Sequence, residues 1–139
     1  MRQTRIRPEF VTFAPQVLEP GVVYVSMEYS TVLHLCCCGC SNQVVTPLAP
    51  ARWHLMFDGE TISLNPSIGN WSFPCKSHYW IERNRVLWDR PFSQREVELV
   101  RIRDHRAIEE HLESRAVPKE PPVVVGQSWL EWLKRWFWR

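Results

Sequence analysis

The stretch Leu33-His34-Leu35-Cys36-Cys37-Cys38-Gly39-Cys40 places four of the chain's five cysteines in five consecutive positions, directly behind an apolar run. The fifth, Cys75, stands far along the chain in Pro74-Cys75-Lys76-Ser77-His78. An odd cysteine count suits a disulfide framework poorly. A dense cluster with a distant Cys/His pair reads instead as a metal site stitched across a small fold. Four thiolates around zinc, at Zn–S near ~2.3 Å, need sulfurs roughly 3.8 Å apart. Side chains at i and i+2 of a flat strand lie about 6.8 Å apart, so the chain must curl, and Gly39 permits that geometry. A regular curl turns Cys36, Cys38 and Cys40 to one side and Cys37 away, with Cys75 supplying a fourth sulfur from a neighbouring strand. His34 or His78 is the available substitute for one thiolate. The soft donor set favours zinc.

On both sides of the cluster the sequence reads as short strands divided by turns. Val22 to Met27 and Thr31 to Cys36 are rich in β-branched and apolar residues, and Gln43 to Thr46 is a shorter run ended by Pro47. Residues 53–57 and 61–64 flank Asp58-Gly59-Glu60, a strong hairpin signal. Pro66-Ser67-Ile68-Gly69-Asn70 reads as a turn or loop, and residues 78–82 and 85–88 as a hairpin across Arg83-Asn84. About seven or eight strands in about eighty residues predict a small antiparallel, barrel-like sheet structure. After Pro91, Ser93 and Glu96 have capping-box spacing. Val97, Val100, Ile108 and Leu112 then form a helical stripe to about Glu113, with Glu98, Arg101, Arg103 and Arg106 on a solvated face. Prolines between Val117 and Pro122 predict a stiff linker. Trp129, Leu130, Trp132, Leu133, Trp136 and Phe137 fall on one face of a terminal helix, expected to dock on the sheet, with a partner's groove or a membrane interface as the alternative seats. The expected class is mainly β and zinc-stabilised, with C-terminal helices, α+β overall. The division is a β-rich zinc-binding core (1–90), a helical segment (91–116), a Pro-rich linker (117–126) and an aromatic amphipathic helix (127–139).

Composition excludes some function classes. Hydrophobic residues make up 45% of 139, enough for one core, and eight tryptophans make that core rich in large rings. The net charge of +2, with acids and bases interleaved, points away from nucleic acid. No run approaches the ~18 apolar residues of a membrane span. The basic start leads into no apolar targeting segment, so the expected location is the cytoplasm, where thiols stay reduced.

Ser67, at the end of an expected strand, is the candidate nucleophile, since such a turn presents a hydroxyl beside backbone N–H groups. His78 is the matching general base, because histidine changes charge in the physiological range. His34 competes for the role of base or metal ligand. No Asp or Glu stands out as the group orienting the histidine, and Asp58 fits the hairpin turn.

Several blocks carry a resemblance: Leu18-Glu19-Pro20-Gly21, His34 to Cys40, Val44 to Leu48, Phe57-Asp58-Gly59, Asn65 to Trp71 and Cys75 to Ile81. Over residues 13 to 88 the chain resembles a family of small bacterial zinc-binding proteins long catalogued as a domain of unknown function. Some members are encoded in operons with ubiquitin-like proteins and E1-, E2- and JAB-peptidase-like partners. The resemblance implies zinc held by Cys36, Cys38, Cys40 and Cys75, with Ser67 and His78 in the family's polar motifs. It implies a serine-type peptidase or deconjugase, deubiquitinase-like, acting on a ubiquitin-like protein or its conjugates in bacterial antiphage defence. E1- or E2-like enzymes are the further partners it suggests. A non-catalytic zinc adaptor and a zinc-dependent hydrolase are the competing expectations.

Overall fold

A computed structural model of the chain describes residues 1–116. The expected linker at 117–126 and aromatic helix at 127–139 lie outside the described residues. Eight strands and one helix follow in order: β1 Arg7–Phe10, β2 Val22–Ser26, β3 Thr31–Leu35, β4 Gln43–Pro47, β5 His54–Phe57, β6 Ile62–Gly69, β7 His78–Glu82, β8 Arg85–Trp88 and α1 Gln94–Ala116. They form two four-stranded sheets, ordered β1-β2-β3-β4 and β5-β6-β7-β8. The fold is mainly β with a helix, α+β overall.

Each sheet buries one face by strand alternation. In β3 the buried residues are Val32 and His34, and in β4 they are Val44 and Thr46, each two apart. Val23, Val25, Val32 and Val44 of the first sheet join Ile62, Leu64, Ile68, Tyr79, Ile81 and Val86 of the second in one apolar cluster. Single-residue bridges join the sheets at Leu48–Trp53 and at Arg5–Arg85.

Turn chemistry sets the registers. Asp58 Oδ1 accepts the N–H groups of Glu60 (3.0 Å) and Thr61 (2.6 Å), and Oδ2 accepts the Thr61 hydroxyl at 2.6 Å. These donors, the Thr61 hydroxyl first, hold the Asp58 carboxyl down at about 2. Arg83 and Asn84 both take positive φ (46° and 61°), as a two-residue hairpin turn matched to strand twist requires. The register that follows runs Glu82 opposite Arg85, Ile81 opposite Val86, Trp80 opposite Leu87 and Tyr79 opposite Trp88.

Three expectations need correction. Pairing is not wholly antiparallel, because β1, unread in the sequence, runs parallel to β2. Of the expected turn or loop Pro66 to Asn70, all but Asn70 belong to the second half of β6. Its turn-like composition is accommodated by a register shift between Leu64, opposite Ile81, and Ile68, opposite Tyr79, which leaves Asn65, Pro66 and Ser67 facing only Trp80. Finally, Leu112 of the expected helical stripe is 60% exposed, and Val97 is the helix's buried residue. The helix start is as expected: Ser93 N–H donates to Glu96 Oε2 (2.8 Å) and Glu96 N–H to Ser93 Oγ (3.4 Å).

Leu64 is 2% exposed at the centre of the shared cluster. Truncating it to alanine is expected to cost about 2–5 kcal/mol, read as a lower urea midpoint with an unchanged slope.

Candidate functional site

Two side-chain clusters flank the loop between β6 and β7. The first is the sulfur cluster. Cys36 directly follows β3, and the chain there curls: Gly39 N–H donates to Cys36 O (3.0 Å) and Cys36 N–H to Asn42 O (2.8 Å). Gly39 has φ +88°, and a Cβ there would lie 2.7 Å from the Met1 backbone nitrogen, so both conformation and space demand glycine. This curl and the β6–β7 loop bring the Sγ atoms of Cys36, Cys38, Cys40 and Cys75 within 4.8 Å of one another. Individual Sγ pairs lie at 3.4 Å (Cys36–Cys38), 3.9 Å (Cys36–Cys75) and 3.7 Å (Cys40–Cys75). Those spacings bracket the roughly 3.8 Å edge of a zinc tetrathiolate, so the donor set fits a tetrahedral soft metal such as zinc. Cys37 points into the core instead, 1% exposed, where burial pushes its thiol up to about 12.

Burial also pushes the Cys36 and Cys38 thiols up. At Cys40 burial acts the same way but is outweighed by donors from the Asn42 backbone, Cys38 and the Asn42 amide, which bring it down to about 6. Around the sulfurs, Asn42 Nδ2 reaches Cys40 Sγ at 3.2 Å, Asn70 Nδ2 reaches Cys36 Sγ at 3.6 Å, and Ser77 Oγ lies 3.1 Å from Cys36 Sγ. Such outer donors orient metal ligands and stabilise thiolates.

His34 does not join either cluster. Its Nε2 lies 2.9 Å from the Tyr79 hydroxyl, its Nδ1 has no partner, and burial lowers its pKa to about 4. The ring is buried in the core beside Tyr79, apart from both the sulfurs and Ser67.

The second cluster lies on the other side of the loop. His78 Nε2 is 2.9 Å from Ser67 Oγ. On its far edge, His78 Nδ1 lies 3.4 Å from Asp89 Oδ2 and 3.4 Å from the Arg90 carbonyl. Strand geometry explains the meeting. His78 stands opposite Gly69, and Ser67, two residues before Gly69, shares its face, so the imidazole reaches Ser67 diagonally across a position with no side chain. The Trp71 ring fills that space, since a Cβ on Gly69 would lie 2.3 Å from it. Trp71 stacks on Phe92 at 4.9 Å, and Phe92 meets His78 edge-on at 4.4 Å. His78 is 2% exposed and Asp89 half-buried.

Asp89 is the residue that the sequence reading missed, and the hairpin contained the signal. Counting outward from Arg83-Asn84 places Asp89 opposite His78, and the Asp89 N–H donates to the His78 carbonyl at 3.0 Å. Ser67 and His78 open on a cavity of about 380 Å³ walled by Trp53, Trp71, Trp80 and Phe92 and, from α1, by Val100 and Ile108, with Asp89 behind the imidazole. A hydroxyl, an imidazole and a carboxylate in series are the parts needed to activate an oxygen nucleophile.

The family model described as "Bacterial ubiquitination-like system serine protease (BubE)" matches residues 10–89. The chain belongs to this family. The BubE span contains all four clustered cysteines together with Ser67, His78 and, as its last residue, Asp89. Helix α1 lies beyond it. No curated protein and no solved structure matches the chain.

Replacing any one of Cys36, Cys38, Cys40 or Cys75 by serine is expected to remove tightly held zinc, whereas Cys37→Ala retains it. The check is the zinc released per chain to a chromogenic chelator. A second expectation concerns Gly69→Ala, which must displace the Trp71 ring and so alter the tryptophan emission of the folded protein.

Proposed function

We propose that the chain is a serine-type peptidase or deconjugase that cleaves the bond following the C-terminus of a ubiquitin-like modifier. One observation carries this reading: Ser67 Oγ, His78 Nε2, His78 Nδ1 and Asp89 Oδ2 lie in series at 2.9 and 3.4 Å beside an aromatic cavity. Membership of a ubiquitination-like system serine protease family supports a substrate from that system; E1- and E2-like enzymes are the further partners of this proposal.

Ser67 Oγ attacks the scissile carbonyl carbon as its proton passes to His78 Nε2. The resulting imidazolium is oriented and stabilised by Asp89 at Nδ1. Collapse of the tetrahedral adduct breaks the C–N bond, and His78 returns the proton to the leaving amine. Water, deprotonated by His78, then cleaves the Ser67 ester and frees the modifier's carboxylate. Cys36, Cys38, Cys40 and Cys75 would hold zinc, which supplies a structural cross-link; four thiolates leave no open coordination position. The ligand Cys75, the polar contact Ser77 and the base His78 lie within four residues, so the cross-link steadies the strand that carries the base.

Labelling with a fluorophosphonate serine probe tests the proposal. Wild type is expected to label, Ser67→Ala and His78→Ala not at all, and Asp89→Asn about 10²–10⁴ times more slowly. Labelling that persists in folded Ser67→Ala would sink the assignment. Zinc removal is expected to slow labelling in proportion to the loss of folded protein, because a tetrathiolate zinc would serve as a cross-link with no open position for chemistry.

A further inference from the structure

The cavity beside Ser67 has a charge pattern that the cleavage reaction does not use. Its lining includes three arginines, Arg52 from the loop before β5 and Arg101 and Arg103 from α1, against one carboxylate, Asp104. Arg103 Nη2 pairs with Asp104 Oδ1 at 3.1 Å, which neutralises both. Arg52 and Arg101 make no ion pair among the described residues. Two exposed arginines without an ion-pair partner among the described residues therefore line one cavity from separate elements, together with Trp53, Trp71 and Trp80. The helix face read from sequence as simply solvated thus contributes charge to the wall.

Apolar walls focus the field of such charges on whatever enters. A guanidinium is always protonated and presents a planar fork matched to a carboxylate. We infer that Arg52 and Arg101 select an acidic substrate segment, holding an Asp or Glu side chain close to the bond that Ser67 attacks. The inference rests on Ser67 being the nucleophile. It makes Arg52 and Arg101 specificity-determining residues and α1 a substrate-contacting wall. A basic segment is repelled at the same place, so the selection works in both directions.

The test uses the full chain and two fluorophosphonates alike except that one alkyl chain ends in a carboxylate and the other in a carboxamide. Second-order labelling rates are normalised to each probe's hydrolysis in buffer. Wild type is expected to favour the carboxylate probe about tenfold, with the preference shrinking as salt rises. In Arg52→Gln/Arg101→Gln the ratio is expected to fall to about one, and in Arg52→Glu/Arg101→Glu below one. Equal rates in wild type, or a preference that survives both double variants, overturn the inference while leaving Ser67 as nucleophile. Labelling by neither probe overturns the Ser67 assignment and the inference with it.

Discussion

Four sulfur atoms within 4.8 Å of one another join the two sheets of this protein. Three come from the curl after β3 in the first sheet and one from the loop between β6 and β7 in the second. Unmetallated thiols at such spacing are individually weak contacts. A structural zinc in a small domain is worth on the order of 10 kcal/mol of folding free energy, comparable with the whole ~5–15 kcal/mol stability of a typical domain. With zinc bound, the sulfur site would contribute on the scale of the whole net stability of the domain, and it fixes one end of the path of the β6–β7 loop through Cys75.

That loop gives the sulfur site its bearing on Ser67 and His78. Its first residue, Asn70, donates its backbone N–H to Ser77 O at 2.9 Å and its amide to Ser77 Oγ at 2.9 Å. Asn70 follows Gly69, which lies opposite His78, and Ser77 precedes His78. The hydrogen bonds that organise the sulfurs thus belong to the residues flanking the hydroxyl–imidazole pair. On the far side, Asp89 is followed by Arg90, whose guanidinium pairs with Glu96 in the first turn of α1. Both ends of the hydroxyl–imidazole–carboxylate series are anchored by residues outside it.

Much of this was legible from local chemistry. The cysteine curl, the Asp58-Gly59 and Arg83-Asn84 hairpins and the Ser93/Glu96 cap depend on neighbours in sequence, and their signals are strong. β1 was not, because Arg7–Phe10 mixes charge, proline and aromatic residues without alternation, and a parallel partner leaves no turn to read. Asn65 to Gly69 misled because Asn, Pro and Gly usually punctuate strands; here the broken register with β7 absorbs them. The place of Asp89 beside His78 required register counting rather than motif reading, since it lies among ordinary charged residues. Arg101 required knowing which way α1 lies over the sheet, a tertiary fact that a helical wheel does not hold.

The spacing of the two clusters also sets an order of assembly. Ser67 and His78 are eleven residues apart, joined by a single hairpin, while Cys36 and Cys75 are separated by thirty-nine. Loop-closure entropy rises with the logarithm of separation, so the sulfur contact costs about 1 kcal/mol more to bring together. Short-range pairings of this kind form early in folding, and long-range ones late. The β6–β7–β8 meander is thus expected to zip before the sheets meet, and the sulfur closure that steadies the loop beside Ser67 follows it.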